Sequence, residues 1–193
     1  GLGLRDLTFV EAVSSDSGRA IETMRLILGE TLQQPKPPYS IDNRIREWCW
    51  GSLEGGYDSE MWGVLPRVLN FKTSEQMWET DISFKDIAHA VYSADSAHWA
   101  EPYDVIAQRV YSGFEDIAHR IEKHGGGKGI VVSHGFTIAF LLNLIDSTQP
   151  VRVDLLNGSV TRLLYADGKF TIEEIGNTQY IAKGREISRG LLS

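Results

Sequence analysis

The hydrophobic pattern of the chain twice changes from a strand-like run to a helical period across a short polar turn. Leu7–Val13 (LTFVEAV) is rich in strand formers and stops at Ser14, Ser15 and Asp16, residue types that favour turns and helix N-caps. From Ser17 the period is helical, with Ala20, Ile21, Met24, Ile27 and Leu28 on one face and Gly29 as a stop. The same change recurs in KGIVVSHGFTIAFLLN. Ile130–Val132 reads as a buried strand behind a glycine-rich loop, and Ser133, His134 and Gly135 end it. Phe136–Ile145 then follows with Ile138, Leu141, Leu142 and Ile145 at helical spacing. Both turns thus join a strand to a helix.

Between and after these units the pattern is less regular. Gln33–Ser40 (QQPKPPYS) cannot continue a helix or join the centre of a sheet, and reads as a surface loop. Ile41–Gly56 mixes polar and apolar residues without a period and reads as an irregular segment lining a cleft. Tyr57–Glu101 reads as an insertion of short helices in which Trp62, Phe71, Trp78, Phe84, Tyr92 and Trp99 either cover a site or form a satellite core. Pro102 opens a long helix to about His124, with Ile106, Val110, Phe114, Ile117 and Ile121 on one stripe and Gly125–Gly127 ending it. Asn157-Gly158 marks a turn. Ser159–Ala166 and Lys169–Ile175, joined at Asp167-Gly168, read as a hairpin extending the sheet, and Lys183–Ser193 reads as a mobile tail.

Composition narrows the function. A chain of 193 residues, 42% hydrophobic and 23% charged, fits one soluble domain with a sizeable core. A formal net charge of −7 argues against a sequence-independent nucleic-acid binder, which needs a basic face. No apolar run reaches membrane-spanning length. Cys49 is the single cysteine and lacks a CxxC or clustered histidine partner, so neither a metal site nor an internal disulfide is expected, and a reducing, cytoplasmic setting is favoured.

The candidate chemistry sits at the turns. His134 ends a strand and precedes a helix, where open α/β sheets bind ligands and where unpaired N–H groups favour anions; phosphate chemistry and simple helix capping both suit it. Arg19 occupies the first turn of the earlier helix, either as an anion ligand or as a solvated residue. Glu47 lies beside Trp48 and close to Trp50, a setting for a desolvated general acid, while a surface pairing with Arg44 or Arg46 is the alternative. His119 and His124, near a helix C-terminus, read as structural.

Three separated pieces, SSDSGRAIET (Ser14–Thr23), IREWCWGSLEG (Ile45–Gly55) and VVSHGFTIAFLL (Val131–Leu142), resemble in order and spacing the histidine phosphatase superfamily, also called phosphoglycerate mutase-like. The stretch LLNGSVTRLLYADGKFTIEEIGNTQYI is similar to the family's closing strands. The resemblance implies an α/β fold of three layers, α/β/α, with a mostly parallel sheet, in a single domain over 1–193 with 57–101 as a variable insertion covering the site. It implies that Arg19 grips phosphoryl oxygens, that His134 is the second histidine stabilising the transferring group, and that Glu47 donates a proton to the leaving oxygen. Gly135 would allow close backbone approach to the phosphate. No metal or cofactor is implied; the partner is a small phosphorylated substrate, with no nucleic acid and no membrane. The chain departs from the family in lacking the Arg-His-Gly strand that carries the nucleophile, which is therefore expected upstream of Gly1. The expected activity is hydrolysis of a small phosphate ester through a phosphohistidine. Phosphoglycerate mutase-type transfer and a non-catalytic anion-binding relative are the alternatives.

Overall fold

The computed structural model describes residues 1–55 and 58–191 of the chain. Tyr57, expected to begin the insertion, and Ser193, expected to end the tail, lie outside the described residues. The chain divides into two compact units, Gly1–Arg46 with Val110–Ser193, and Glu47–Arg109.

The first unit is built on a parallel sheet of order β2-β1-β3, with β1 at Glu11–Ser14, β2 at Tyr39–Ile41 and β3 at Gly129–Val132. Val13 lies opposite Ser40 on one side and Val131 on the other. A strand with neighbours on both sides has its backbone satisfied there, and every residue of β1 is buried. Helix α1 (Gly18–Glu30) follows β1 and buries Ala20 and Met24. Val13, Ile45 and Ile117 form a buried cluster onto which Phe114, Ile121 and Val131 pack. Burying side chains of this size contributes about 1.5–3 kcal/mol each.

Several expectations are corrected. The first strand starts later than Leu7, because the Phe9 backbone is satisfied by an amide side chain: its N–H donates to Gln33 Oε1 at 2.8 Å and its carbonyl accepts from Gln33 Nε2 at 2.8 Å. The proline-rich loop ends in a strand after all, since Tyr39 and Ser40 belong to β2, on the sheet edge where nearby prolines are tolerated. β3 is half-buried rather than buried, having a strand neighbour on one side only among the described residues.

The hairpin of β4 (Val160–Ala166) and β5 (Lys169–Asn177) turns through Asp167 and Gly168 at φ 52° and 73°, a mirror-image turn that suits glycine. It does not extend the sheet: among the described residues it is a separate two-stranded sheet. Its ladder pairs within itself. The Tyr165 and Phe170 rings pack on each other, with Tyr111 at 5.9 Å from Phe170 and His119 at 5.3 Å from Tyr165. The supposed tail is helix α7 (Gln179–Leu191). It docks on the turn Leu2–Leu4 because glycine faces glycine: a Cβ on Gly3 would stand 1.8 Å from the Tyr180 carbonyl oxygen, and Gly184 N is 3.1 Å from that Cβ position. Lys183 adds an ion pair to Asp6 at 2.8 Å.

The second unit holds short helices α2 (Asp58–Val68), α3 (Ser74–Trp78) and α4 (Phe84–Ala94), and α5 (Tyr103–Lys123) begins in it. Ser83 and Asp86 close the start of α4 as a reciprocal cap. Leu65, Met77, Phe84, Ile87 and Val91 are buried. Trp48, Trp50, Trp62 and Trp78 form a run of successive ring contacts at 6.0, 6.1 and 5.1 Å, with Phe84 5.9 Å from Trp48. These rings therefore build a core of their own, whereas Trp99 and Tyr92 are exposed. No helix among the described residues is long and apolar enough to cross a membrane.

Candidate functional site

The parallel register brings the two sequence-predicted turns together. β1 and β3 run side by side, Ser14 opposite Val132, so the residues after each emerge at the same edge of the sheet. Ser15 continues the pairing one step beyond, its N–H donating to the Val132 carbonyl at 3.0 Å. From β3 the chain turns through Ser133 and His134 into α6 (Gly135–Ile145), in which Ala139, Phe140, Leu141 and Leu142 are buried.

His134 is the N-cap residue of α6, but its ring makes no capping bond. The imidazole instead lies between the two turns, nearly buried. Arg19 Nη2 is 2.9 Å from its Nδ1, and Ser15 Oγ is 2.6 Å from its Nε2. Because a guanidinium has donors only, Nδ1 facing Arg19 is the acceptor. The remaining proton then sits on Nε2 and is donated to Ser15 Oγ, so this geometry holds the neutral tautomer with both ring nitrogens bonded.

Ser15, which the sequence pattern shows only as part of the turn, is brought onto the His134 ring. The signal was its adjacency in SSDSGR to a residue already singled out. Its neighbour Ser14 points elsewhere, its hydroxyl 2.7 Å from the Tyr39 hydroxyl of β2. Gly135 opens α6, and a side chain there would meet no heavy atom within 4 Å, so packing does not demand glycine.

A third segment is stitched to the His134 turn from both sides. Ser133 Oγ donates to the Ile45 carbonyl at 2.8 Å, and Thr137 Oγ1 donates to the Arg46 carbonyl at 2.8 Å. Arg46 also pairs with Asp16 of the first turn. Upstream, Asp42 accepts from the Arg44 N–H at 2.9 Å and from its guanidinium, and Arg44 reaches Asp116 as well. Burial acts to raise the Asp42 pKa, but the Arg44 bonds outweigh it and hold the carboxylate below its ordinary range. The Arg44 guanidinium, bonded to Asp42 and Asp116, is correspondingly raised.

Glu47 follows Arg46 directly and belongs to the second unit. Its Oε1 accepts the Trp48 N–H at 3.1 Å and its carbonyl accepts from Arg109 Nη2 at 3.2 Å. Arg44 and Arg46, the alternative partners considered for it, pair with Asp42, Asp116 and Asp16.

Residues 2–178 match the family model described as histidine phosphatase superfamily, branch 1. The fold is similar to phosphoglycerate mutase from Bacillus anthracis str. Sterne, 32% identical with a TM-score of 0.88 over 95% of this chain and 79% of that one. It is also similar to the alpha-ribazole phosphatase from Shigella flexneri, 19% identical with a TM-score of 0.57 over 91% of this chain and 78% of that one. A phosphoserine phosphatase mutant from Entamoeba histolytica, solved with phosphoserine, is 18% identical with a TM-score of 0.53 over 90% of this chain and 76% of that one. A search of curated proteins found no match.

Proposed function

Because the chain belongs to branch 1 of the histidine phosphatase superfamily, we propose that it hydrolyses a small phosphate ester through a phosphohistidine intermediate, without a metal. The observation that carries this reading is the Arg19–His134–Ser15 arrangement at the carboxyl ends of two parallel strands. Arg19 offers a planar fork of donors matched to phosphoryl oxygens, and His134, once protonated, adds a second positive group. Fixed charges aimed at the equatorial oxygens supply most of the stabilisation in phosphoryl transfer. The N–H groups opening α6 at Gly135 and Phe136 add dipole to the same end. Glu47 is the proton donor to the leaving oxygen in this reading. The nucleophile is the amino-terminal histidine of the family pattern; no described residue is assigned that part.

Rapid mixing of the full-length polypeptide with an aryl phosphate, followed by quenching in base, tests the intermediate. An acid-labile phosphoryl adduct should accumulate and decay with turnover, and His134→Ala should lower kcat by about 10²–10³-fold. Turnover with no adduct at any time would remove the phosphohistidine step.

Phosphoglycerate mutase-type transfer is the second reading, favoured by the Bacillus anthracis relative. Against it stands charge. Between Tyr57 and Glu101 the cations are Arg67, Lys72 and Lys85, few for a substrate with both a phosphate and a carboxylate. Interconversion of 2- and 3-phosphoglycerate faster than release of phosphate would favour the mutase.

A further inference from the structure

In the second unit, the segment carrying Glu47 is gripped at both ends. At one end Arg109 divides its fork: Nε lies 2.8 Å and Nη2 2.7 Å from the two oxygens of Glu101, and Nη2 also donates to the Glu47 carbonyl at 3.2 Å. Its side chain is largely buried, at 12% exposure. At the other end Asp95, buried at the end of α4, accepts the Ser52 N–H at 2.7 Å together with those of Ala97, Trp99 and Ala100. Gly51 closes this end. Its φ is +61°, and a Cβ there would stand 2.2 Å from the Asp95 carboxyl carbon. Between the two ends Trp48 is 2% exposed and packed on Phe84 and Trp50.

These bonds fix a backbone rather than a side chain. A largely buried guanidinium–carboxylate pair that also holds a peptide carbonyl is a costly device unless the position of that peptide matters. We propose that Arg109, oriented by Glu101, is a positioning residue for Glu47, with Asp95 holding the far end of the same segment. The inference rests on the reading of Glu47 as general acid. In that step the nucleophilic histidine nitrogen bonds to phosphorus as the bond between phosphorus and the leaving oxygen breaks, the oxygen keeps the electron pair, and it takes the proton from the Glu47 carboxyl. Misplacing that proton by about an ångström costs up to about 10²-fold. The loss falls only on leaving groups that need it. An alkoxide is strongly basic and must be protonated as it departs, whereas a nitrophenolate departs as the anion.

The test compares an alkyl phosphate with p-nitrophenyl phosphate on the full-length polypeptide. Glu47→Gln sets the reference, and its selective loss on the alkyl ester checks the general-acid reading. Arg109→Lys keeps the charge but lacks the fork, and should lower kcat about 10-fold or more on the alkyl ester and less than about 3-fold on the aryl ester. KM should hold on both. In the Glu47→Gln background Arg109→Lys should add little, since the two act through one proton. Glu101→Gln, which leaves Arg109 in place with a weaker partner, should show the same selectivity in milder form and serves if Arg109→Lys does not fold. Equal losses on both esters from Arg109→Lys or Glu101→Gln, with Glu47→Gln still selective, would make the clamp purely structural and overturn the proposal. Unselective Glu47→Gln would remove the general-acid reading itself, and the positioning proposal with it.

Discussion

Replacing Ser15 by alanine deletes a single oxygen, the partner of His134 Nε2 at 2.6 Å. The hydroxyl is fully buried and the imidazole nearly so, so water has little access to replace the lost bond. Arg19 still occupies Nδ1 with a donor, which keeps the proton on Nε2 and prevents the ring from escaping by changing tautomer. Removing the partner of a buried donor costs about 1–3 kcal/mol. With a urea slope of about 2 kcal/mol per M, the unfolding midpoint should fall by about 0.5–1.5 M. The probe matters. All five tryptophans lie within Glu47–Arg109, so fluorescence follows that unit, and amide exchange along α6 is the measurement that reads the His134 turn. Nitrogen-15 shifts of the ring should show Nε2–H in the wild type and exchange between tautomers once Arg19 is also removed. Unchanged α6 protection in Ser15→Ala, or a wild-type ring carrying its proton on Nδ1, would refute the bonding pattern argued for this site.

Other consequences are equally direct. Arg19→Ala should lower kcat/KM by about 10²–10³-fold on any phosphate ester, and Arg19→Lys should recover only part of it, because the ammonium keeps charge without the fork; steady-state kinetics on two esters decides. Gly51→Ala forces a left-handed backbone on alanine and drives a methyl into the Asp95 carboxylate, so the second unit should lose about 1–3 kcal/mol, read by tryptophan fluorescence in urea. Burial acts to raise the Asp95 pKa, but four backbone N–H donors, from Ala100, Ala97, Ser52 and Trp99, depress it well below the ordinary carboxylate value. A depressed folded pKa stabilises above the unfolded pKa of about 3.9, and that stabilisation drains away as pH falls through the folded value. Acid titration of the same fluorescence signal should therefore show a loss below about pH 4 that Asp95→Asn no longer shows. Gly3→Ala would set a methyl against the Tyr180 carbonyl, and should free α7 to limited proteolysis while leaving α6 protected.

The two strand-to-helix turns were legible because each is written locally, as a β-branched or aromatic run, a polar pair and a helical period. Residues such as Arg19 and His134 could then be placed at element ends without knowledge of the partner. What brings them into contact is the parallel register of β1 with β3, a pairing across more than half the chain that no local pattern encodes. Ser15 was missed for that reason. β2 was misread because prolines beside it mask an edge strand that pairs through only part of its backbone. The last helix was misread because its polar composition hides a docking face made of backbone, where Gly3 and Gly184 permit close approach without any buried side chain. Trp48, Trp50, Trp62 and Trp78 lack a period since they pack on one another from one irregular segment and two short helices.

The central claim is that the Arg19–His134–Ser15 arrangement receives the phosphoryl group. Titration of the labelled protein with inorganic phosphate, followed by shifts of the His134 ring nitrogens and the Gly135 amide, tests it most directly. The account predicts saturable shifts at both, with Nδ1 gaining a proton as phosphate takes the Arg19 donor, and their disappearance in Arg19→Ala. Saturable phosphate binding that leaves the His134 ring in its starting tautomer and persists in Arg19→Ala would contradict it.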